Sequence, residues 1–325
     1  MKKFVKALTL TAAAGLLMSA QVQAEEIVFA HGANPGNPRY DAANMFAALV
    51  STNCSDFTVK VSPSATMGDD AEMLTSATAG VIQMTANSQG TMAQIVPEVG
   101  MLGLPFLFSD LPNAWKVLDG EVGQMIDEKA QAAGLKVVTF WDNGIRHVTH
   151  ISKHISTPAE IKGMKIRTPP DQVTLDIFKA LGANPAPLAW SELPTALQAG
   201  TFEGQENPLT NIYSAKLHTI TPFITLTGHK YEGTPVVAGL GWWQSLSADQ
   251  QTCITDAAKE AGWYQRGRSL LDNEQLQNIM EKEGAKFKTI DQKTFADATS
   301  DVYSKYEKEF GDFVVKLRAA AAGSN

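Results

Sequence analysis

Residues 164–171 read Met164-Lys165-Ile166-Arg167-Thr168-Pro169-Pro170-Asp171. Met164 to Thr168 has strand character, Thr168 is a good helix N-cap, and Pro169 suits a first helical position. The stretch predicts a strand that hands over at once to a helix, the unit from which α/β sheets are built. Arg167 then stands at the carboxyl end of a strand, where open α/β sheets bind ligands. A helix N-terminus favours anions, although the two prolines remove amide donors. Arginine adds a planar fork that matches a carboxylate with two parallel hydrogen bonds. An arginine engaged by an internal Asp or Glu is the alternative.

The same alternation continues on both sides. Glu26–His31, Thr58–Ser62, Leu135–Trp141 and His147–Ser152 read as strands. Arg39–Val50, Asp69–Ala79, Asn113–Leu118, Val122–Ala133 and Val173–Leu181 read as amphipathic helices. This is an α/β chain with mixed or parallel sheets. There is no internal repeat, low-complexity segment or Pro/Gly/Ser-rich linker, so a two-domain chain must cross between its halves more than once. One segment supports such crossing. Ser247 with Gln250 makes a capping-box pattern, and helical periodicity then runs to about Glu283. At about 1.5 Å per residue this helix spans about 54 Å, against about 35 Å for one domain. The alternative is two helices broken near Gly262 or Gly267.

The chain of 325 residues opens with Lys2, Lys3 and Lys6, an apolar run from Ala7 to Ala20, and Val22-Gln23-Ala24. That order is a secretory leader, residues 1–24, with the mature chain starting at Glu25. No later apolar run reaches about 18 residues, so the mature protein is expected to be soluble. Removing the leader lysines takes the net charge from −7 to −10. Such acidity argues against nucleic acid or an anionic membrane surface as partner, but not against a small anion beside a few buried cations. Cys54 and Cys253 would meet an oxidising periplasm, where a pair is bridged more often than free. The long loop gives such a bridge about 5 kcal/mol in the chain-entropy model. Two separate buried thiols are the alternative.

No catalytic string is present: no GxSxG, HExxH, CxxC, Walker A or GxGxxG. Asp69, Asp70 and Glu72 read first as acids opposing a helix dipole. His147 and His150 face opposite sides of a strand, so with His154 they make no metal site without a bend. Several residues suit ligand contact. Arg146, in Asn143-Gly144-Ile145-Arg146, reads as ending a turn between two strands. Asn207 precedes Pro208 and is held extended, with an amide that both donates and accepts. Trp190 offers a flat wall, or a core residue.

These residues carry a resemblance. Met67-Gly68-Asp69-Asp70, Leu104-Pro105-Phe106, Asn143 to Arg146, Lys162 to Arg167, and Gly204-Gln205-Glu206-Asn207-Pro208 occur in order behind a leader. Together they resemble the DctP family, the periplasmic solute-binding proteins of TRAP (tripartite ATP-independent periplasmic) transporters. The similarity runs from about Glu26 to beyond Tyr303. It implies a two-lobed α/β periplasmic binding protein fold with hinge strands and a long helix spanning both lobes. The implied division is 25–145 plus about 232–265 for one lobe, 146–231 plus about 266–325 for the other, with the ligand cleft between. It also implies a bidentate salt bridge from Arg167 to the ligand carboxylate, assistance from Arg146 and a hydrogen bond from Asn207. Trp190 falls where sialate-binding members carry an aromatic wall. Asn87 and Gly90 replace their glutamate and arginine, which argues against sialate. His31, Asn34 and Arg39, in the first strand–helix loop, and Glu72 and Gln89 complete the candidate set.

The expected function is capture of a small organic acid for small and large membrane permease subunits, by a periplasmic monomer that is not an enzyme and uses no cofactor or metal. Asn87, Gln89, His31 and Asn34 suit hydroxyl groups, which favours a sugar acid such as a uronate or aldonate. A C4-dicarboxylate or short hydroxy or keto acid is the alternative, favoured if a second cation such as Arg39 stands opposite Arg167. A ligand-presenting component for a receptor kinase would use the same trap.

Overall fold

The computed structural model of the protein describes residues 24–323; the leader expected at residues 1–24 falls, but for Ala24, outside them. Among the described residues, nine strands lie in chain order at β1 Glu25–His31, β2 Phe57–Ser62, β3 Met84–Ala86, β4 Leu135–His150, β5 Lys165–Thr168, β6 Asn184–Pro187, β7 Gly204–Asn207, β8 Phe223–Gly239 and β9 Lys286–Thr289. They form one mixed sheet in the order β2-β1-β3-β8-β4-β7-β5-β6, with β9 on β8. β1, β2 and β3 run parallel at one end; β5, β6 and β7 run parallel at the other. The antiparallel strands β4 and β8 cross between the ends.

Where the sequence suggests two strands joined by a turn, β4 runs straight through residues 143–146. Gly144, at φ +118°, absorbs a register shift between Asp142 and Gly144 instead of reversing the chain. Glycine alone takes that conformation cheaply, so the signal read as a turn is a β-bulge. A larger irregularity lies between Arg146 and Val148 of β4. There the β8 partner jumps from Lys230 to Thr225, and the His147 Nδ1 accepts from the Gly228 amide at 3.1 Å.

The expected long helix is continuous from Ala248 to Lys282, with the Ser247/Gln250 capping box formed. Gly262 does not break it. A Cβ there would come within 2.8 Å of the Trp141 ring, so the bare backbone lets that buried indole pack and donate to the Ala258 carbonyl at 2.9 Å. The helix packs on Pro38–Asn53 near one end of the sheet and on Leu209–Ser214 and β9 near the other. Cys54, the C-cap of Pro38–Asn53, is disulfide-bonded to Cys253 of the long helix, Cα to Cα 5.9 Å. Two apolar clusters lie along this face, one around Phe29, Phe46 and Trp141, the other around Ile212, Leu276 and Met280. The larger cluster contains Leu74, Leu102 and Ile126 as well as Ile177 and Phe178.

The helix after β5 starts later than its prolines suggest. It spans Gln172–Ala180 and is capped by Asp171, whose side chain accepts from the Val173 amide. Thr168 stays in β5. Each residue before a proline is pushed out of the helical region, so Thr168 and Pro169 remain extended and the cap moves to Asp171.

Candidate functional site

A cavity of about 140 Å³ collects residues from both ends of the sheet, among them Arg39, Asp70, Arg146, Arg167, Trp190 and Asn207. The sequence-expected Glu72 lines it too.

Arg167 is 2% exposed. Its Nε and Nη2 both donate to the Leu188 carbonyl, at 3.0 and 2.6 Å, and Nη1 has no partner. Among the described residues, no carboxylate makes an ion pair with it. Burial pulls this guanidinium down to about 10, against the opposing pull of Glu206. The fork is therefore held by a backbone carbonyl at one edge and its charge is left uncompensated by direct contact.

Arg146 is different. Its Nε and Nη2 donate to Glu206, and its Nη1 donates to Glu232. Both acids are fully buried, and His229 Nε2 lies 3.1 Å from Glu206. Burial alone would lower the Arg146 guanidinium, but the two glutamates hold it above its usual range. Glu206 is driven the other way: despite its burial, Arg146 and His229 pull it down to about 2. Arg146 lines the cavity, yet its charge is already neutralised. The resemblance implies assistance from Arg146 at the ligand's carboxylate end; here it lines the cavity with two buried acids on its fork.

Arg39 also lines the cavity. It is 7% exposed and donates from Nη2 to Asn143 Oδ1 at 3.0 Å, while Nε and Nη1 have no partner. Among the described residues it makes no ion pair either. Asn207 ends β7 and accepts from Asn211 Nδ2 at 3.1 Å. Asn211 also donates to Asn143 Oδ1 at 3.2 Å and accepts from Asn37 Nδ2 at 2.8 Å. Four asparagine amides thus form a chain across the cavity. Asn37, Asn143 and Asn211 were not singled out in the sequence. Asn37 had a readable signal, an Asn before Pro38, and it does cap the helix through the Arg39 amide at 2.9 Å. Its partner lies 174 residues away, which no local pattern reveals.

Asp69 and Asp70 also line the cavity. Asp69 sits at an N-cap position without capping; its carboxylate accepts from the Ser191 amide and hydroxyl across the cleft. Asp70 Oδ2 accepts from the Ser88 amide at 3.0 Å, and burial pushes its carboxyl up to about 6, with Arg39 as the largest opposing charge.

His31, Asn34, Asn87 and Gln89 do not line this cavity. The His31 Nδ1 accepts from the Ala33 amide, and burial lowers the ring to about 3. Asn34 is set aside in the loop, where its carbonyl accepts from the Asn37 amide. Asn87 donates to the Asp70 carbonyl and accepts from Thr85. Gln89 accepts from the Gly233 amide at 2.7 Å. The Asn87 and Gln89 amides are thus engaged by the fold, whereas the His31 Nε2 has no hydrogen-bond partner among the described residues. Gly90 has no room for the arginine of sialate binders, since a Cβ would lie 2.6 Å from Asp171. Among the described residues, no group of His, Cys, Asp and Glu could hold a metal ion.

The sequence model of the bacterial extracellular solute-binding proteins, family 7 (DctP), matches residues 29–309. An uncharacterized Sinorhizobium fredii protein, y4mM, is 44% identical over 278 residues, 85% of this chain; the chain spans only 51% of that protein's length. The Escherichia coli 2,3-diketo-L-gulonate-binding periplasmic protein YiaO is 32% identical over 282 residues, 86% of each chain. Among solved structures, the Advenella mimigardefordensis sugar acid binding protein in complex with galactonate superposes with a TM-score of 0.90, at 31% identity over 93% of this chain and 99% of that one. A TRAP periplasmic solute-binding protein from Sulfurospirillum deleyianum with bound succinate gives 0.86, at 30% identity over 92% and 100%. TRAP solute-binding proteins bind small organic acids and work with membrane permease subunits; they are periplasmic transport proteins, not a family of enzymes. The chain belongs to this family, the DctP solute-binding proteins of TRAP transporters.

Proposed function

We propose that this chain is exported to the periplasm by its leader and, as a monomer, captures a small organic acid by closing two lobes around Arg167. The observation that carries this is the Arg167 fork, buried in the cavity and free of any protein carboxylate. A ligand carboxylate supplies the missing charge. Closure is then favoured by contacts between the two halves of the chain, such as Asn37 to Asn211 and Asp69 to Ser191. We divide the lobes as 25–145 with about 232–265, and 146–231 with about 266–325. The helix Asp312–Ala321 reaches back onto Leu111–Leu118 and Glu121–Ala132 and straddles that division. The bulges of β4 and β8 supply the hinge.

The amide chain and the Trp190 wall suit the hydroxyls and carbon chain of a sugar acid, the class named for YiaO's diketogulonate and the galactonate complex. The second unpaired guanidinium, Arg39, favours a C4-dicarboxylate, as in the succinate complex. A thermal-shift screen of aldonates, uronates, keto acids and C4-diacids tests the class, since ligand at 100 times its Kd adds about 2.7 kcal/mol. Arg167→Ala should weaken binding of the acid found by about thirty-fold or more, the cost of stranding one partner of a buried charge pair. Near-wild-type affinity in calorimetry overturns the assignment.

A further inference from the structure

Arg39 and Asp70 are two charged cavity groups that the carboxylate clamp does not use, beside Asp69, which Ser191 engages, and the exposed Glu72. Arg39 is nine-tenths buried, with Nε and Nη1 unpartnered. Asp70 is anchored only through Oδ2; its Oδ1 has no hydrogen bond and lies beside Gly32, where a Cβ would sit 3.6 Å from it and 3.7 Å from the Trp190 ring. Donor and acceptor thus line one cavity against the wall of the opposite lobe. They make no direct ion pair, but each is the other's strongest charged influence.

We infer that Arg39 and Asp70 form a second, charge-neutral subsite, which takes an uncharged ligand oxygen (a hydroxyl or keto group) and rejects a second carboxylate. A hydroxyl can both accept, as from Arg39, and donate, as to Asp70. A keto oxygen can accept from Arg39 alone. A second carboxylate could meet Arg39, but it would share the cavity with the ionised Asp70, and like charges in a shared site are disfavoured. The inference rests on the reading of Arg167 as the carboxylate clamp. It narrows the ligand to a monoacid carrying polar, uncharged oxygens, and it reverses the preference for a diacid that Arg39 alone would suggest.

The test is calorimetry at pH 7.5 with length-matched acids: erythronate against tartrate, and galactonate against galactarate. The wild type should bind at least one monoacid about tenfold or more tighter than its diacid. Asp70→Asn keeps an oxygen for the Ser88 amide and removes only the charge. It should shift the monoacid-to-diacid ratio toward the diacid by about tenfold or more. Arg39→Gln should weaken the preferred monoacid by about tenfold or more while leaving the ratio in favour of the monoacid. Melting curves of both variants separate lost recognition from lost folding; if Asp70→Asn melts early, Asp70→Ser serves as the second neutral variant. Wild type preferring the diacid, or a ratio unchanged by the neutral variants, overturns the subsite. Binding that survives Arg167→Ala overturns the clamp instead, so the two failures are distinct; no binding of any of these acids to the wild type overturns both.

Discussion

Replacing Arg167 by glutamine should make the ligand-free protein more stable while removing its ligand. The guanidinium is 2% exposed and has no counter-ion in contact; the Leu188 carbonyl is its hydrogen-bond partner. Burial takes it from 12.5 to about 10, a displacement worth about 3 kcal/mol. At pH 7 the group is charged in both the folded and unfolded chain, so this cost is present in full. Glutamine can keep one amide donor for Leu188, so the substitution forfeits about 1 kcal/mol of hydrogen bonding. The net expectation is a gain of about 1–2 kcal/mol. At roughly 2–4 °C per kcal/mol for domains of 150–250 residues, the melting point should rise by a few degrees. The assay is urea unfolding of both proteins at pH 7, after the ligand has been stripped by unfolding and refolding with the disulfide intact. Ligand titration follows on the same samples. A variant that loses 1 kcal/mol or more without ligand, or that still binds within threefold of wild type, would show that Arg167 is a structural residue and refute the reasoning.

Arg146→Met should do the opposite: it strands Glu206 and Glu232 in the interior, and urea unfolding should register a loss of about 3–5 kcal/mol. Acid titration of wild-type stability should show a matching window. Glu206 is held at about 2 instead of 4.5, so its contribution of about 3 kcal/mol is whole above pH 4.5 and disappears as pH falls toward 2; a flat profile over that range contradicts the network. Gly262→Ala should destabilise by about 1–3 kcal/mol in urea despite alanine's better helix propensity, because its Cβ would meet a buried indole that cannot yield. Reducing Cys54–Cys253, which spans 199 residues, should lower stability by about 5 kcal/mol on the loop-entropy model, measured as the unfolding shift with and without reductant.

Much of this architecture was legible because it is local. The capping box at Ser247 and the 3.6-residue period behind it announced the long helix, and β5 with Arg167 at its end could be read from residues 164–168. The strand at 143–146 was misread because Gly144 signals either a turn or a bulge, and only the β8 partner decides between them. The amide chain was hidden for a plainer reason: Asn37 and Asn211 meet only through the folded chain, and neither carries a sign of the other. Glu206 stood inside a quoted motif and still went unread. A glutamate in a fully buried four-residue strand needs a cation nearby, and Arg146 was already a candidate for it.

The contrast between the two arginines follows from sheet register. Arg146 lies on β4, which β8 and β7 flank. Near its height β8 presents Glu232, opposite Gly144, and β7 presents Glu206, opposite Val148. A cation placed there acquires two counter-ions as the sheet assembles. Arg167 lies on β5, where its register partners are Gln205 of β7 and Ala186 of β6. Neither neighbour brings an acid, and the nearest fixed acceptor is the carbonyl of Leu188 just past the end of β6. The same side chain is therefore paired with acids on one strand and without a carboxylate partner among the described residues on another, and the difference is made by what each adjacent strand carries at that height. Moving an acid to position 186 should abolish ligand binding without touching the cavity's own residues, because Ala186→Glu would give Arg167 the internal partner that β6 now withholds; calorimetry showing unchanged affinity in a folded Ala186→Glu protein would break the link between register and function.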